Sequence, residues 1–287
     1  MSDRILVTGG TGTIGYHLLK YLKEQDTPFT VFARNPKKAA TLKGRGYEVI
    51  LGDFDDKDSV DEAMQGIGKL FLNSPAGPQQ VDHQRTVIEA AISNKVKHIV
   101  KVSTIDASPD SSLNIGRWHY EIEKAIRDSG IGYTFLHANG FMQNFFAYAD
   151  SIRNLGRIYA PFAQGKYSAV DARDVAMVAA RILAGESQEN QEYELTGPTA
   201  VGMRDVARAI STAINKEVRY VPIAPEDARS NMRNSGMPDW LVEDMLELSK
   251  KYEEGHGSRV SGHIRNVTGN RATDLSRFTE ENWRQFA

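Results

Sequence analysis

A glycine-rich stretch after the first apolar run constrains this chain more than any other feature. The run ILV leads into TGGTGTIG, in which Gly9, Gly12 and Gly15 recur every third residue, and apolar residues then recur at helical spacing through IGYHLLKYLKEQ. Glycine permits a tight turn and a close approach of backbone N–H groups to a pyrophosphate, whose charge the helix N-terminus stabilises. The pattern therefore predicts a dinucleotide site at a strand–helix turn.

Strand and helix patterns alternate through the first half of the chain. Further strands are predicted at FTVFA, YEVILGD, KLFLNS, HIVKVST and GYTFLHA, each followed or preceded by a helix-like segment. Apolar runs without alternation are typical of a parallel sheet covered on both faces. We therefore expect an α/β fold with a Rossmann-like doubly wound parallel sheet.

The pattern becomes less regular after residue 150 and more helical towards the C-terminus. We expect a dinucleotide-binding domain over residues 1–150. Residues 151–287 are expected to form a smaller, mostly helical substrate-binding region packed on that domain as a cap, with some segments returning to the sheet.

Composition excludes several functional classes. Lysine and arginine number 35 against 37 acidic residues, so no basic surface is expected for nucleic acid. The absence of cysteine excludes thiolate chemistry, and the seven histidines show no metal-ligand spacing with carboxylates. Without a signal peptide or membrane-spanning run, we expect a cytoplasmic protein that acts on a small molecule. Whether it forms a homodimer stays open.

The end of the second predicted strand bears on the choice of cofactor. NAD-selective sites usually place an acidic residue there, which binds the ribose 2′-hydroxyl. This chain has FARNPKK instead, with Arg34 followed by Lys37 and Lys38. An arginine there would bind a 2′-phosphate and stack on adenine. NADP(H) is therefore favoured over NAD(H).

The segment LGDFDD follows the third strand, where a loop could border the adenine. The Asp53 carboxylate would accept from the adenine amino group, and the Phe54 ring would lie against the base. The alternative is a helix cap, which Asp55, Asp56 and Asp58 fit better than Asp53 does.

Together these motifs resemble those of the NmrA-like group of atypical short-chain dehydrogenases/reductases. Matching segments run nearly end to end: VTGGTGTIG, ARNPKK, GDFDD, HIVKVS, HYEIEKAIRDSGIGYTFLHANGFMQNF, VDARDVA and YELTG. The group includes NADPH-dependent quinone and triphenylmethane-dye reductases, and also redox-sensing regulators that bind the dinucleotide without turnover.

The resemblance implies cofactor contacts along the chain. The implied set is Gly9, Thr11, Gly12, Thr13, Ile14 and Gly15 around the pyrophosphate, Arg34 and Lys38 at the 2′-phosphate, Asp53 and Phe54 at the adenine, Asn73, Ser74 and Pro75 beyond the fourth strand, and Val102, Ser103, Lys124, Asn139, Gly140 and Phe141 on the nicotinamide side. Where the group usually has an Arg-Pro pair, this chain has His137 and Ala138, so no arginine role is carried over.

Ser103, Tyr120 and Lys124 match in type and order the catalytic set of the superfamily's conventional enzymes. There the tyrosine donates a proton to a carbonyl oxygen, the lysine lowers the pKa of the tyrosine, and the serine polarises the carbonyl. The NmrA-like pattern instead has a histidine five residues before the lysine, which His119 matches. In that alignment Lys124 is a cofactor contact and Tyr120 is incidental. Both interpretations stay open, with His119 as an alternative proton donor.

The stretch NGFMQNFFAYA would suit a wall for a flat substrate. Phe141 and Phe145 would line it and Asn144 would orient a substrate oxygen, although both phenylalanines could equally be core. Hydride transfer to a flat, electron-poor acceptor needs mainly proximity and orientation. The first hypothesis is an NADPH-dependent reductase of a quinone, dye or enone. The alternatives are an NADP(H)-sensing regulatory protein without turnover and, on the Tyr–Lys spacing alone, a sugar-nucleotide epimerase.

Overall fold

The computed structural model describes residues 4–185 and 190–287. The chain forms two compact units. The first comprises Met1–Ser111, Ile115–His137 and Ala172–Glu194, and the second comprises Ser112–Asn114, Ala138–Asp171 and Leu195–Ala287. The assignment of dinucleotide binding to residues 1–150 and of substrate binding to residues 151–287 stays a prediction.

The strands are β1 (Ile5–Val7), β2 (Phe29–Ala33), β3 (Val49–Leu51), β4 (Lys69–Leu72), β5 (His98–Thr104), β6 (Gly132–Ala138), β7 (Arg157–Ala160), β8 (Lys166–Tyr167), β9 (Gln191–Leu195), β10 (Val201–Gly202) and β11 (Arg219–Pro222). The helices are α1 (Thr13–Glu24), α2 (Pro36–Gly44), α3 (Lys57–Met64), α4 (Gln80–Ser93), α5 (Asn114–Asp128), α6 (Ala149–Leu155), α7 (Ala172–Ala184), α8 (Met203–Ile214), α9 (Pro225–Asn234), α10 (Asp239–Glu253), α11 (His263–Thr268) and α12 (Leu275–Glu281). Short 3-10 helices span Met142–Tyr148 and Trp283–Gln285.

The main sheet of the first unit has seven strands in the order β3-β2-β1-β4-β5-β6-β9. The pairs β2–β3, β1–β2, β1–β4 and β4–β5 are parallel. The order 3-2-1-4-5-6 is that of the Rossmann fold, and it reverses between β1 and β4. The predicted doubly wound parallel sheet is confirmed, and its ligand crevice is expected at the carboxyl ends of these two strands.

Side chains alternate along each strand, so successive residues of the sheet face helices on opposite sides. Leu6, Leu70 and Ile99 belong to a buried cluster with apolar side chains of α3, α4 and α5, which cover one face. Helices α1 and α7 pack against each other, and α7 also contacts β4 and β5. The apolar stripe predicted for α1 is buried along its length, including Leu18 and Leu22.

The second unit has two small sheets and its own core. Strands β7 and β11 pair in parallel, and β8 and β10 pair antiparallel. Its core contains aromatic and aliphatic side chains from β7, β8, α8, α10 and α12, together with the final phenylalanine, Phe286. In the two described ranges, no helix combines the length and apolar composition that crossing a bilayer requires.

Candidate functional site

The turn after β1 needs glycine at two positions for different reasons. Gly9 has φ +67°, and a Cβ there would lie 2.8 Å from the carbonyl oxygen of Asn73. Gly15 lies in the first turn of α1, where a Cβ would lie 2.2 Å from the carbonyl oxygen of Gly9. The first glycine therefore permits the turn, and the second lets the helix begin directly against it.

The N-terminus of α1 is open to an anion. Its N-cap is Gly12, which has no side chain to accept from the first N–H groups, and the N–H of Gly12 itself donates to Gly9 at 3.0 Å. The first turn, formed by Thr13, Ile14 and Gly15, therefore presents backbone donors without a side-chain cap. Donors at a helix N-terminus fit the pyrophosphate of a dinucleotide.

A cavity of about 560 Å³ opens beside this turn within the first unit. Its lining brings together eight residues that the sequence predicts to contact the cofactor, namely Gly9, Thr11, Arg34, Lys38, Asp53, Phe54, Asn73 and Pro75. It also includes residues that the sequence interpretation missed, namely Phe32, Ala33, Asn35, Pro36, Gly52, Ala76, Gln79, Gln80 and His83.

The basic end of the cavity lies where β2 meets α2. Arg34 is largely exposed, and its Nε lies 3.8 Å from Asp53 Oδ2. The Asn35 side chain caps α2 by accepting from the backbone N–H of Lys38 at 3.0 Å. Arg34, Lys38 and a helix N-terminus thus face the same cavity, a combination suited to a phosphate group.

Aromatic rings form the apolar part of the lining. Phe32 and Phe54 stack with ring centroids 5.5 Å apart and planes 13° from parallel, and His83 lies 6.0 Å from Phe54. His83 Nε2 is held 3.0 Å from the Asp55 carboxylate. The lining therefore offers ring surfaces that a flat base could contact, beside the Asp53 carboxylate.

Two buried side chains fix the segment after β4. The Thr8 hydroxyl accepts from the N–H of Asn73 at 2.9 Å, and it lies 3.0 Å from the carbonyl oxygen of the same residue. Gln84 donates to the Ser74 hydroxyl at 2.8 Å. Gln84 was not singled out from the sequence, although its position four residues after Gln80 puts both amides on one face of α4.

Ser103 belongs to a buried polar group between β5, α5 and β6. Its hydroxyl donates to the Glu123 carboxylate, which also lies 2.9 Å from His137 Nε2 and 3.2 Å from Arg127. Burial alone would raise the pKa of Glu123, but its hydrogen bonds to His137 and Ser103 and the charges of His137 and Arg127 hold that pKa below its usual value. Glu123 is therefore an ionised acceptor.

Lys101 lies on the same face of β5 as Ser103 and is completely buried. Its Nζ donates to the carbonyl oxygen of Val102 and lies 3.0 Å from His119 Nδ1. Burial lowers the pKa of Lys101 to about 7, although the Glu123 carboxylate acts in the opposite direction. A lysine in this position was not singled out from the sequence, because HIVKVST shows only one charge within an apolar strand.

The predicted catalytic set is not linked by hydrogen bonds. Lys124 is exposed, and its Nζ lies 2.5 Å from Asp128, a contact that raises the pKa of Lys124. Tyr120 is half-buried on the same helix, and the Ser103 hydroxyl donates to Glu123. In residues 4–185 and 190–287, no hydrogen bond joins Ser103, Tyr120 and Lys124 to one another. Their catalytic role stays a prediction.

The remaining predicted residues belong to the second unit. Asn139 is buried and donates to Ser168 and to the carbonyl oxygen of Gly257 at 2.9 and 2.8 Å. Phe145 is fully buried in the core, which is the alternative placement that the sequence left open. Asn144 is exposed and Phe141 is half-buried, so both offer surface to a ligand.

Gly140 is enclosed by aromatic side chains of the same unit. A Cβ at this position would lie 2.8 Å from the ring of Tyr167 and 2.9 Å from the hydroxyl of Tyr252. These two tyrosine rings stack 4.3 Å apart. Gly140 therefore allows the chain to pass an aromatic pair, and its predicted cofactor contact stays a prediction.

No cluster of three or more histidine and carboxylate side chains in the described ranges is arranged to hold a metal ion. The chemistry supported by the geometry is that of an organic dinucleotide. The fit rests on the glycine turn, the uncapped helix N-terminus and the basic end of the cavity.

Comparison with known proteins gives consistent matches over nearly the whole chain. The NmrA-like family model matches residues 1–286. The NAD(P)H azoreductase of Xenophilus azovorans is 39% identical over 276 residues, which is 96% of each chain. The NADPH-dependent quinone oxidoreductase of Escherichia coli, solved with NADPH, superposes with a TM-score of 0.88 at 28% identity, covering 97% of this chain and 99% of that one. The triphenylmethane reductase of Citrobacter sp., solved with NADP(H), has a TM-score of 0.86 at 26% identity, with coverage of 97% and 99%.

Proposed function

This chain belongs to the NmrA-like family, and on that premise we propose that it is a reductase that transfers hydride from NADPH to a small, flat, electron-poor acceptor such as a quinone or a dye. The observation that carries the proposal is the cavity of the first unit, which is lined by the glycine turn at Gly9 and Thr11, by the N-terminus of α2 and by two basic side chains.

The relatives support the type of activity. The azoreductase is named for its use of NAD(P)H, and the two solved neighbours are reductases of a quinone and of triphenylmethane dyes. The reductase predicted from the sequence is confirmed at this level. These acceptors share extended conjugation and low electron density, which favours direct hydride transfer once donor and acceptor are aligned.

The preference for NADPH over NADH rests on the end of β2. Arg34 and Lys38 are the two cationic side chains at that end of the cavity, and Asn35 holds the N-terminus of α2 beside them. These groups would bind a 2′-phosphate. The pyrophosphate would lie at the N-terminus of α1, and the adenine would lie against Phe54 with Asp53 at its edge.

The bound dinucleotide supplies the hydride, and the chain supplies orientation and exclusion of water. Because the Ser103 proton is already donated to Glu123, Tyr120 is the remaining proton donor of the predicted catalytic set. We assign Lys124 to the cofactor ribose, and Phe141 and Asn144 to the acceptor. An acceptor protonated by solvent would require none of the three catalytic side chains to act as an acid.

The experiment combines binding with turnover. NADPH and NADH are titrated by fluorescence, and oxidation of NADPH is then followed with a quinone, an azo dye, a triphenylmethane dye and an enone. We expect tighter binding of NADPH and turnover with at least one acceptor class. Tight binding of NADPH without turnover of any acceptor would contradict the reductase and favour the dinucleotide-sensing alternative.

A further inference from the structure

A buried chain of polar side chains begins at the cofactor cavity and ends on β5. Gln80 lines the cavity and is only 2% exposed, and its Nε2 lies 3.5 Å from His119 Nε2. The other nitrogen of that ring, His119 Nδ1, lies 3.0 Å from Lys101 Nζ. Three side chains from α4, α5 and β5 are thus linked in sequence beneath the cavity.

His119 is the central member of this chain, and it is neutral. Burial, followed by the charges of Lys101 and His137, holds the pKa of His119 well below its usual value. A neutral imidazole carries one proton, so one ring nitrogen donates and the other accepts. The hydrogen bond that one ring nitrogen makes, with Lys101 or with Gln80, therefore determines whether the other nitrogen donates or accepts.

The charge on Lys101 selects the tautomer of His119. An ammonium group only donates, so a charged Lys101 requires Nδ1 to accept and places the ring proton on Nε2. Gln80 must then turn its amide oxygen towards His119 and its NH₂ group away from it. A neutral Lys101 can accept from Nδ1–H, which leaves Nε2 as an acceptor for the Gln80 NH₂ group.

The outer end of the Gln80 amide, which is the end away from His119, has no hydrogen-bond partner in residues 4–185 and 190–287. The amide atom that does not face His119 is buried and makes no hydrogen bond. With Lys101 charged, this outer group is a donor that an anionic ligand can satisfy. With Lys101 neutral, it is a carbonyl oxygen, which would repel the negatively charged phosphate oxygens of a dinucleotide.

We propose that binding of NADP(H) in the cavity is coupled to protonation of Lys101 through Gln80 and His119, with Gln80 as a cofactor-contacting residue. The inference rests on the cofactor-binding part of the proposed function. Binding and protonation are reciprocal, so the cofactor takes up protons when it binds, and its affinity falls as Lys101 loses its charge.

Other charged groups around Lys101 set the range in which this coupling acts. Glu123 from α5 favours the ammonium form, while burial favours the neutral form. His137 from β6 and Arg127 from α5 are engaged by Glu123. Because these effects leave the pKa of Lys101 at about 7, both of its states are populated near neutral pH.

Calorimetric titration with NADPH in phosphate and in Tris at the same pH tests the coupling, because the two buffers differ in ionisation enthalpy. The wild type is compared with Lys101→Met, which removes the titrating group, and with Gln80→Leu, which keeps Lys101 but removes its link to the cavity. Lys97→Met, at an exposed lysine just before β5, is the matched control. Proton uptake by the ligand itself is common to all four proteins.

We expect uptake of up to about half a proton per NADPH beyond the ligand background at pH 7 in the wild type and in Lys97→Met. This excess should be lost in both Lys101→Met and Gln80→Leu. Equal uptake in all four proteins would overturn the coupling while leaving the cofactor site intact. Failure of the wild type to bind NADPH in the fluorescence titration would instead contradict the proposed function.

Discussion

The hydroxyl of Ser103 donates its single proton to the carboxylate of Glu123, so these two residues form a closed donor–acceptor pair in the first unit. Glu123 is 2% exposed and is further held by His137 and Arg127. A serine hydroxyl has one proton, and a proton donated to an ionised carboxylate is not available to a substrate carbonyl. We therefore expect Ser103 to hold the Glu123 carboxylate and not to polarise a substrate carbonyl.

Ser103→Ala should therefore affect turnover only modestly. Loss of a preorganised donor to a reacting oxygen typically lowers kcat by about 100- to 1000-fold. We expect kcat with a quinone or dye to fall by less than about tenfold, because the serine proton points to Glu123. A hundredfold fall in kcat in a variant that remains folded and binds NADPH normally would contradict this expectation.

Arg34→Ala should weaken NADPH binding selectively. Hydrogen bonds to charged groups contribute about 1.5–3 kcal/mol, so the Kd for NADPH should rise by about 10- to 100-fold, and by clearly less for NADH, which has the adenine but no 2′-phosphate. Lys37→Ala is the matched control, since Lys37 carries the same charge three residues later but does not line the cavity. Fluorescence titration measures both constants. Equal losses for the two cofactors would show that Arg34 does not bind the 2′-phosphate.

Two glycine-to-alanine changes in helices separate steric from conformational effects. At Gly15 a Cβ would lie 2.2 Å from the backbone of Gly9, whereas at Gly44, at the end of α2, it would meet no atom within 4 Å. Gly15→Ala should destabilise the fold by about 1–3 kcal/mol and weaken NADPH binding. Gly44→Ala should be neutral or stabilising by up to about 1 kcal/mol. Urea unfolding with and without NADPH distinguishes them; similar behaviour of the two variants would contradict the close packing at Gly15.

Lys101→Met should stabilise the fold most at low pH. The pKa of Lys101 is about 7 in the folded state against 10.5 ordinarily, so the unfolded state binds more protons between these values. Burial of Lys101 therefore destabilises the wild-type fold fully below pH 7. This destabilisation decreases as the pH rises from 7 towards 10.5. The stability gained by Lys101→Met should shrink between pH 6.5 and 9.5, by roughly 1.4 kcal/mol for each pH unit above 7.

Urea unfolding at several pH values measures this trend, and Lys97→Met again serves as the exposed control. A gain that does not depend on pH would contradict titration of Lys101 as its cause.

The parts of the site encoded in neighbouring residues could be predicted from the sequence. The glycine turn and Arg34 depend on local backbone geometry and on position relative to a strand end, and the structure places both at the cavity. The Lys101–His119 contact could not be predicted, because it joins a strand and a helix whose relative register depends on packing. For the same reason, Phe145 could not be assigned between substrate wall and core until the surrounding elements were in place.

The contacts of the polar residues of α4 could be predicted only in part from the sequence. Gln80 and Gln84 lie one helical turn apart, and both are buried. A stripe of amides on the covered face of a helix indicates polar contacts there, but not the identity of their partners. Only the fold shows that Gln84 donates to Ser74 and that Gln80 lines the cavity of the first unit.

The central claim is most directly tested by a single turnover. The protein with NADPH bound is mixed anaerobically with a quinone or an azo dye in a stopped-flow spectrometer, and the nicotinamide and acceptor bands are followed together. The account predicts that both bands decay at the same rate, which increases with acceptor concentration until it saturates, with one acceptor reduced per NADPH when a quinone is used. A stable NADPH complex that is oxidised by no member of either acceptor class would contradict the account.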